Sequence, residues 1–205
     1  MISLIIQFLS ILFTISTTLR INAPEWPTTY KACVYVQTEQ EYIPMGWYVD
    51  GSTHRMRLDS YGIPEDRKDN HTFAADGFSY ACSHLGPPLY VYLYHYDNGK
   101  EYDIFPAPTK PYHQCTAYNM TTLYPRSPLL PGLEFIEQVK DNFTTYNHWR
   151  ADYFLFTNDY FFHVVNGLPY KVYVDGVEKT FVYIENVTLD ESVFLVPNDV
   201  TCKAG

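Results

Sequence analysis

The residues of this 205-residue chain whose chemistry is easiest to name are four cysteines: Cys33, Cys82, Cys115 and Cys202. No two of them stand as C-x-x-C, which disfavours a zinc ribbon or thioredoxin-like redox chemistry. An even number in an oxidising compartment reads as two disulfides and leaves no thiol free to act as a nucleophile. The seven histidines, His54, His71, His84, His95, His113, His148 and His163, fall in no H-E-x-x-H or other close ligand spacing. The chain has no G-x-S-x-G and no phosphate-binding glycine loop. Glu65, Asp66 and Asp69 form one acidic group, and Asp190 and Glu191 another. Neither has the oxygen spacing of a calcium loop, and solvated loop charge accounts for both. The expectation is a protein that is not an enzyme, with no catalytic residue, no metal and no cofactor.

The setting in which such cysteines pair is written at the start of the chain. Met1 to Ile15 is an apolar run without charge, followed by Ser-Thr-Thr and then Arg20. This is the pattern of a secretory signal peptide, residues 1–23, with cleavage expected between residues 16 and 23. The run is shorter than the roughly 20 apolar residues that a membrane-spanning helix requires. Residues 24–205 are then one domain, and no later segment is apolar enough to cross a membrane. Four N-x-S/T sequons, at Asn70, Asn119, Asn142 and Asn186, fit an extracellular, glycosylated surface.

The formal net charge is −9, and no basic run exceeds Arg67-Lys68. A nucleic-acid partner, which needs a basic face, is excluded on that ground. Aromatic residues are the compositional outlier, at 20 Tyr, 13 Phe and 3 Trp. Tyrosine joins apolar area to a polar tip and suits strands, interfaces and half-wet pockets.

The elements that must position these side chains are strands. "YIPMGWYV" leads through Asp50-Gly51 to "STHRMRLD". "LYVYLYHY" leads through Asp97-Asn98-Gly99 to "KEYDIF", and "YKVYV" through Asp175-Gly176 to "VEKTFVYIEN". Asp-Gly and Asn-Gly supply the positive φ of tight hairpin turns. With "KACVYVQ", "HQCTAY", "DYFLFT", "YFFHVV" and "SVFLVP", the run-and-turn rule gives about eleven strands. The segment 133–143 reads equally as a short helix or as a strand after Pro131-Gly132. The expected fold is mainly β, a two-layer antiparallel sandwich or half-open barrel.

Several strands are apolar on both faces. On "YVYLYHY", Tyr90, Tyr92, Tyr94 and Tyr96 oppose Val91, Leu93 and His95. Phe154 and Phe156 oppose Tyr153 and Leu155, while Tyr160, Phe162 and Val164 oppose Phe161, His163 and Val165. One face can enter the core. The other needs a second layer, a dimer interface or an apolar ligand, unless its hydroxyls simply reach water. The candidate pocket residues are Tyr90, Tyr92, Tyr94, Phe154, Phe156, Tyr160 and Phe162.

The order of these features resembles the ependymin-related family. "GWYVDGSTHRMRLDSYG" is similar to its early hairpin, with Tyr48 to Asp50 before an Arg-x-Arg strand at Arg55-Met56-Arg57. "LYVYLYHYDNGKEYDIF" followed by Cys115 resembles its next hairpin and cysteine. "FLVPNDVTC" resembles its closing Phe-x-x-Pro…Cys, on Phe194, Pro197 and Cys202. The resemblance spans most of residues 42–202. It implies a secreted glycoprotein of LolA-like fold, with antiparallel sheets around an apolar pocket for a lipid or other hydrophobic ligand. It also implies a tendency to form homodimers. The pairs it implies are Cys115–Cys202 and Cys33–Cys82. Vertebrate members carry more cysteines, which places this chain as a divergent, invertebrate-type LolA-like domain. Two alternatives stand beside it: an extracellular adhesion or matrix module, and a lipocalin-like carrier suggested by Gly46-Trp47.

Overall fold

The computed structural model describes residues 21–37, 42–61, 82, 86–105, 114–120, 132–141, 144–153, 156–174 and 176–205. Residues 1–20, most of the expected signal segment 1–23, lie outside the described residues. Twelve strands follow in chain order: β1 (Thr29–Gln37), β2 (Tyr42–Asp50), β3 (Arg55–Ser60), β4 (Tyr90–His95), β5 (Lys100–Phe105), β6 (Gln114–Asn119), β7 (Glu134–Asp141), β8 (Thr144–Tyr153), β9 (Phe156–His163), β10 (Pro169–Val174), β11 (Val177–Asn186) and β12 (Cys202–Ala204). They form one continuous sheet in the order β12-β6-β5-β4-β3-β2-β1-β11-β10-β9-β8-β7. All neighbours are antiparallel except β12 with β6. The mainly β, antiparallel expectation holds. The linear order is that of an open sandwich or half-open barrel made from a single sheet.

The three turn signals fall where the chain reverses, between β2 and β3, β4 and β5, and β10 and β11. Gly99 and Gly176 sit at φ 67° and 77°, a region that a Cβ makes costly. The described part of the segment 133–143, residues 133–141, is not helical. It supplies β7, which pairs with β8 at the sheet edge. Glu134, Glu137, Lys140 and Asp141 on β7 are exposed, and edge charges of this kind oppose stray pairing.

Two strand expectations are corrected. "SVFLVP" is not a strand. Asp190 caps a short 3-10 helix, Glu191–Phe194, by accepting the Ser192 N–H at 2.8 Å. That turn points Phe194 inward, and Pro197 ends no ladder. The last strand is β12, where Cys202 lies opposite Cys115. The runs "DYFLFT" and "YFFHVV" also divide differently. β8 ends at Tyr153, β9 begins at Phe156, and Val164 and Val165 are exposed in the turn after β9.

Cross-strand partners share a face, because side chains alternate along each strand. On the inner face, Tyr30, Ala32, Val34, Val49, Trp149, Ala151, Tyr160, Phe162, Val172 and Phe181 form the main buried cluster, with Trp26 packed against it from the segment before β1. On the other face, Cys33 and Tyr35 are buried with Tyr61 and Cys82. β1 is therefore covered on both sides. A bulge beside Cys33 and Val34 shifts its register against β11. Farther along the outer face, Val91, Leu93, Ile104 and Cys115 pack beneath Val196, Val200 and Cys202 of the C-terminal segment. Both disulfides are present: Cys33–Cys82 with Cα atoms 5.8 Å apart, and Cys115–Cys202 with Cα atoms 4.3 Å apart. Among the described residues, no helix is long and apolar enough to cross a membrane.

Candidate functional site

Register places the tyrosines of β4 and the aromatics of β9 on one face. Tyr94 pairs with Met56, Met56 with Val49, and Val49 with Tyr30. Beyond the bulge, Val36 pairs with Lys179, Lys179 with Val172, and Val172 with Tyr160. Tyr90, Tyr92, Tyr94, Tyr160 and Phe162 thus share the inner face, but not one environment. Tyr160 and Phe162 are 0% and 1% exposed. Phe162 and Phe181 meet the Trp26 ring edge-on at 5.9 and 5.4 Å. As placed, Tyr160 and Phe162 are core residues rather than an open lining. Tyr90 is 41% exposed, and Tyr92 and Tyr94 are half-buried. Phe154, and the side chain of Phe156, lie outside the described residues.

The candidate set missed several inner-face residues. Phe105 stands edge-on to Tyr90 at 5.2 Å. Phe105 is 37% exposed and Tyr118 is 41% exposed. On β5, Glu101 lies across from Tyr94, and Asp103 across from Tyr92. Tyr118 and Thr116 of β6 follow beside the same two carboxylates. The signal was available. The Asp97-Asn98-Gly99 turn fixes the hairpin register, and alternation in "KEYDIF" then puts both acids opposite tyrosines. Trp26 and Trp47 were missed as well. Both pack against Phe181, and each has a buried indole N–H without a hydrogen-bond partner among the described residues.

The electrostatics of β5 follow from that placement. Burial, and then the neighbouring Asp103, raise the Glu101 carboxyl above its ordinary range; a hydrogen bond from Tyr94 acts the other way. Burial raises Asp103, and its Oδ1 is buried without a hydrogen-bond partner among the described residues. Burial, reinforced by Glu101, pushes the Tyr94 hydroxyl up. A raised carboxyl makes its charged form a cost to the folded state. That cost is present at neutral pH and disappears as pH falls through the raised pKa toward the unfolded value. Asp103→Asn is expected to stabilise the protein at neutral pH by about 0.5 kcal/mol, a small figure because the residue as a whole is only partly buried. The gain shrinks on acidification. Urea unfolding at several pH values checks this, and a gain that grows toward acid contradicts it.

Among the described residues, His95, His148 and several charges make structural contacts. The His95 Nε2–H donates to the Phe194 carbonyl at 2.7 Å. His148 Nε2 and Arg150 Nε lie 2.7 and 2.8 Å from the same oxygen of Asp159. Burial alone would raise Asp159, but hydrogen bonds from Arg150 and His148 outweigh it and hold the carboxyl below its ordinary range. Among the described residues, no group of three or more His, Cys, Asp or Glu is placed to hold a metal. Of the acidic groups, Asp190 caps the 3-10 helix and Glu191 pairs with Arg55 at 3.1 Å, whereas Glu65, Asp66 and Asp69 lie outside the described residues. The sequon residues Asn119 and Asn186 are exposed at the ends of β6 and β11. Asn70 and Asn142 lie outside the described residues.

An open antiparallel β-fold with two disulfides and an aromatic inner face is the class that these features define. Its fold is similar to that of an uncharacterized conserved protein from Thermus thermophilus. The two superpose with a TM-score of 0.53 at 11% identity over 96% of this chain and 99% of that one. Two structures of PNGF-II superpose with TM-scores of 0.37 and 0.36 at 11% and 12% identity. They cover 87% and 86% of this chain but 32% and 31% of theirs, a likeness too slight to bear on this protein. No family model matches the chain, and no curated protein matches it.

Proposed function

We propose that this chain is a secreted, glycosylated domain of ependymin-related type that binds a hydrophobic ligand, rather than an enzyme. The observation that carries the reading is the continuity of the inner face. Its aromatic surface runs from the buried Trp26 cluster on β1, β9 and β11 to a row on β4–β6 that includes Tyr90, Phe105 and Tyr118. These three are 41%, 37% and 41% exposed. An apolar surface of this kind on a soluble domain marks a contact site for a ligand or a partner. The pairs Cys33–Cys82 and Cys115–Cys202 support the family resemblance that implied them. They also suit an oxidising compartment.

Protein secreted from eukaryotic cells and purified without detergent should carry an apolar compound, recovered by solvent extraction and seen as a mass shift in native mass spectrometry. After extraction it should bind N-phenyl-1-naphthylamine with a rise in fluorescence. Protein that carries no lipid and leaves the dye dark would sink the proposal.

A second reading, contact with a protein partner or a second copy, draws on the sheet edge. Phe135 and Ile136 on β7 are 37% and 42% exposed. It predicts a dimer in sedimentation that Ile136→Lys dissociates.

A further inference from the structure

The half of the inner face on β4–β6 joins aromatic rings to negative charge that has no internal counter-ion among the described residues. Glu101 and Asp103 alternate along β5 and stand across from Tyr94 and Tyr92, with Tyr118 and Thr116 on their far side. Tyr94 and Tyr96 stack with centroids 5.9 Å apart, and Tyr90 and Phe105 extend the row. The basic residues of β3 and β5 are engaged elsewhere. Arg55 is committed to Asp97 and Glu191, Arg57 to Asp59, and Lys100 to Asn119. On the neighbouring β12, Lys203 stands beside Thr116 but is exposed and is not ion-paired to either carboxylate. Asp103 Oδ1 is buried and accepts no hydrogen bond from the described residues. Two like charges held on a tyrosine surface are complementary to a cation with an apolar body. The ring faces attract a cation through their quadrupoles, and the carboxylates neutralise it. An anionic headgroup would meet only repulsion there.

We propose that this surface binds the ammonium group of a cationic amphiphile. The amphiphile's hydrocarbon lies along the aromatic row toward Met56 and Leu58, which share the face with Tyr94 and Tyr92. The proposal rests on the hydrophobic-ligand reading above and names the ligand's headgroup class.

Titration calorimetry at neutral pH with octyltrimethylammonium, octanol and octanoate separates the two ideas. Wild-type protein is expected to bind the ammonium compound at least about tenfold more tightly than octanol, with octanoate weakest. In Glu101→Gln/Asp103→Asn the ammonium preference should vanish while octanol binding persists. Tyr92→Leu, which keeps both charges, should weaken the ammonium compound severalfold. A cooperative thermal melt establishes that each variant is folded. Equal binding of all three probes by the wild type overturns the headgroup assignment and leaves the hydrophobic-ligand reading standing. A preference that survives in the double variant overturns the assignment to these two carboxylates. Binding of none of the three overturns both.

Discussion

Replacing Cys115 and Cys202 together by alanine lowers the stability of this fold by about 4–5 kcal/mol while leaving its strand content unchanged. The two residues are 87 positions apart in sequence. In the chain-entropy model, cutting so long a loop returns freedom to the unfolded chain, and the enthalpic alternative predicts a loss of similar size. The folded state itself has other ties for the same segment. Phe194 is 1% exposed, His95 holds its carbonyl, and Arg57 Nη1 donates to the Val193 carbonyl at 3.1 Å. Arg55 reaches Glu191 at 3.1 Å. The 3-10 helix therefore stays docked when the bridge is absent. Local loosening is confined to β12, a strand of three residues paired only with β6. Urea unfolding of the variant should give a lower midpoint, with faster hydrogen exchange at residues 202–204 and unchanged exchange at Phe194. The pair Cys33–Cys82, separated by 49 residues, should cost only about 0.5 kcal/mol less by the same logarithm. Loss of native strand signal on cutting Cys115–Cys202 would show that the bridge holds the folded sheet together, contrary to this account.

What could be read from the sequence, and what could not, divides along physical lines. Two hairpins were legible because Asn-Gly and Asp-Gly set turn geometry locally; at the β2–β3 reversal Asp50-Gly51 marks the place of the turn, but the positive φ falls on His54. The two-faced character of β4 was legible from alternation: Val91 and Leu93 enter one core while Tyr92 and Tyr94 face the other way. The segment 133–143 was ambiguous because its periodicity suits helix and strand alike. Only pairing with β8, a tertiary fact, decides for strand. "SVFLVP" misled through β propensity, which Asp190 overrides by capping a turn. The burial of two candidate pocket residues was not legible. Tyr160 and Phe162 are aromatic residues on the correct face, but alternation does not reveal what covers them. Phe162 is covered by Trp26, which is distant in sequence and belongs to no strand. The acidic pair was overlooked for the opposite reason. Glu101 and Asp103 look like ordinary surface charge until the hairpin register sets them against Tyr94 and Tyr92.

Trp26 is the residue whose removal should most change what the inner face can bind. It is 9% exposed and meets Tyr30, Phe162 and Phe181 edge-on at 6.5, 5.9 and 5.4 Å. Truncation to alanine should cost about 3–5 kcal/mol, the range for a buried large aromatic. It also uncovers Phe162, which is otherwise closed to a ligand. The folded fraction of Trp26→Ala is therefore expected to bind N-phenyl-1-naphthylamine more tightly than the wild type does, despite being less stable. Trp26→Phe separates the two effects. It keeps a ring over Phe162 and Phe181 but gives up the five-membered half of the indole, including an N–H that makes no hydrogen bond to the described residues. Deleting an unsatisfied buried donor offsets part of the lost packing, so this variant should lose well under half as much stability as the alanine variant. Its dye affinity should stay near wild type. Chemical unfolding and dye titration on the three proteins decide the matter. If Trp26→Ala loses stability but gains no dye binding, Trp26 is an ordinary core residue, and the ligand surface is confined to the β4–β6 half. If it gains both instability and affinity, the buried and exposed halves are one binding surface that Trp26 divides.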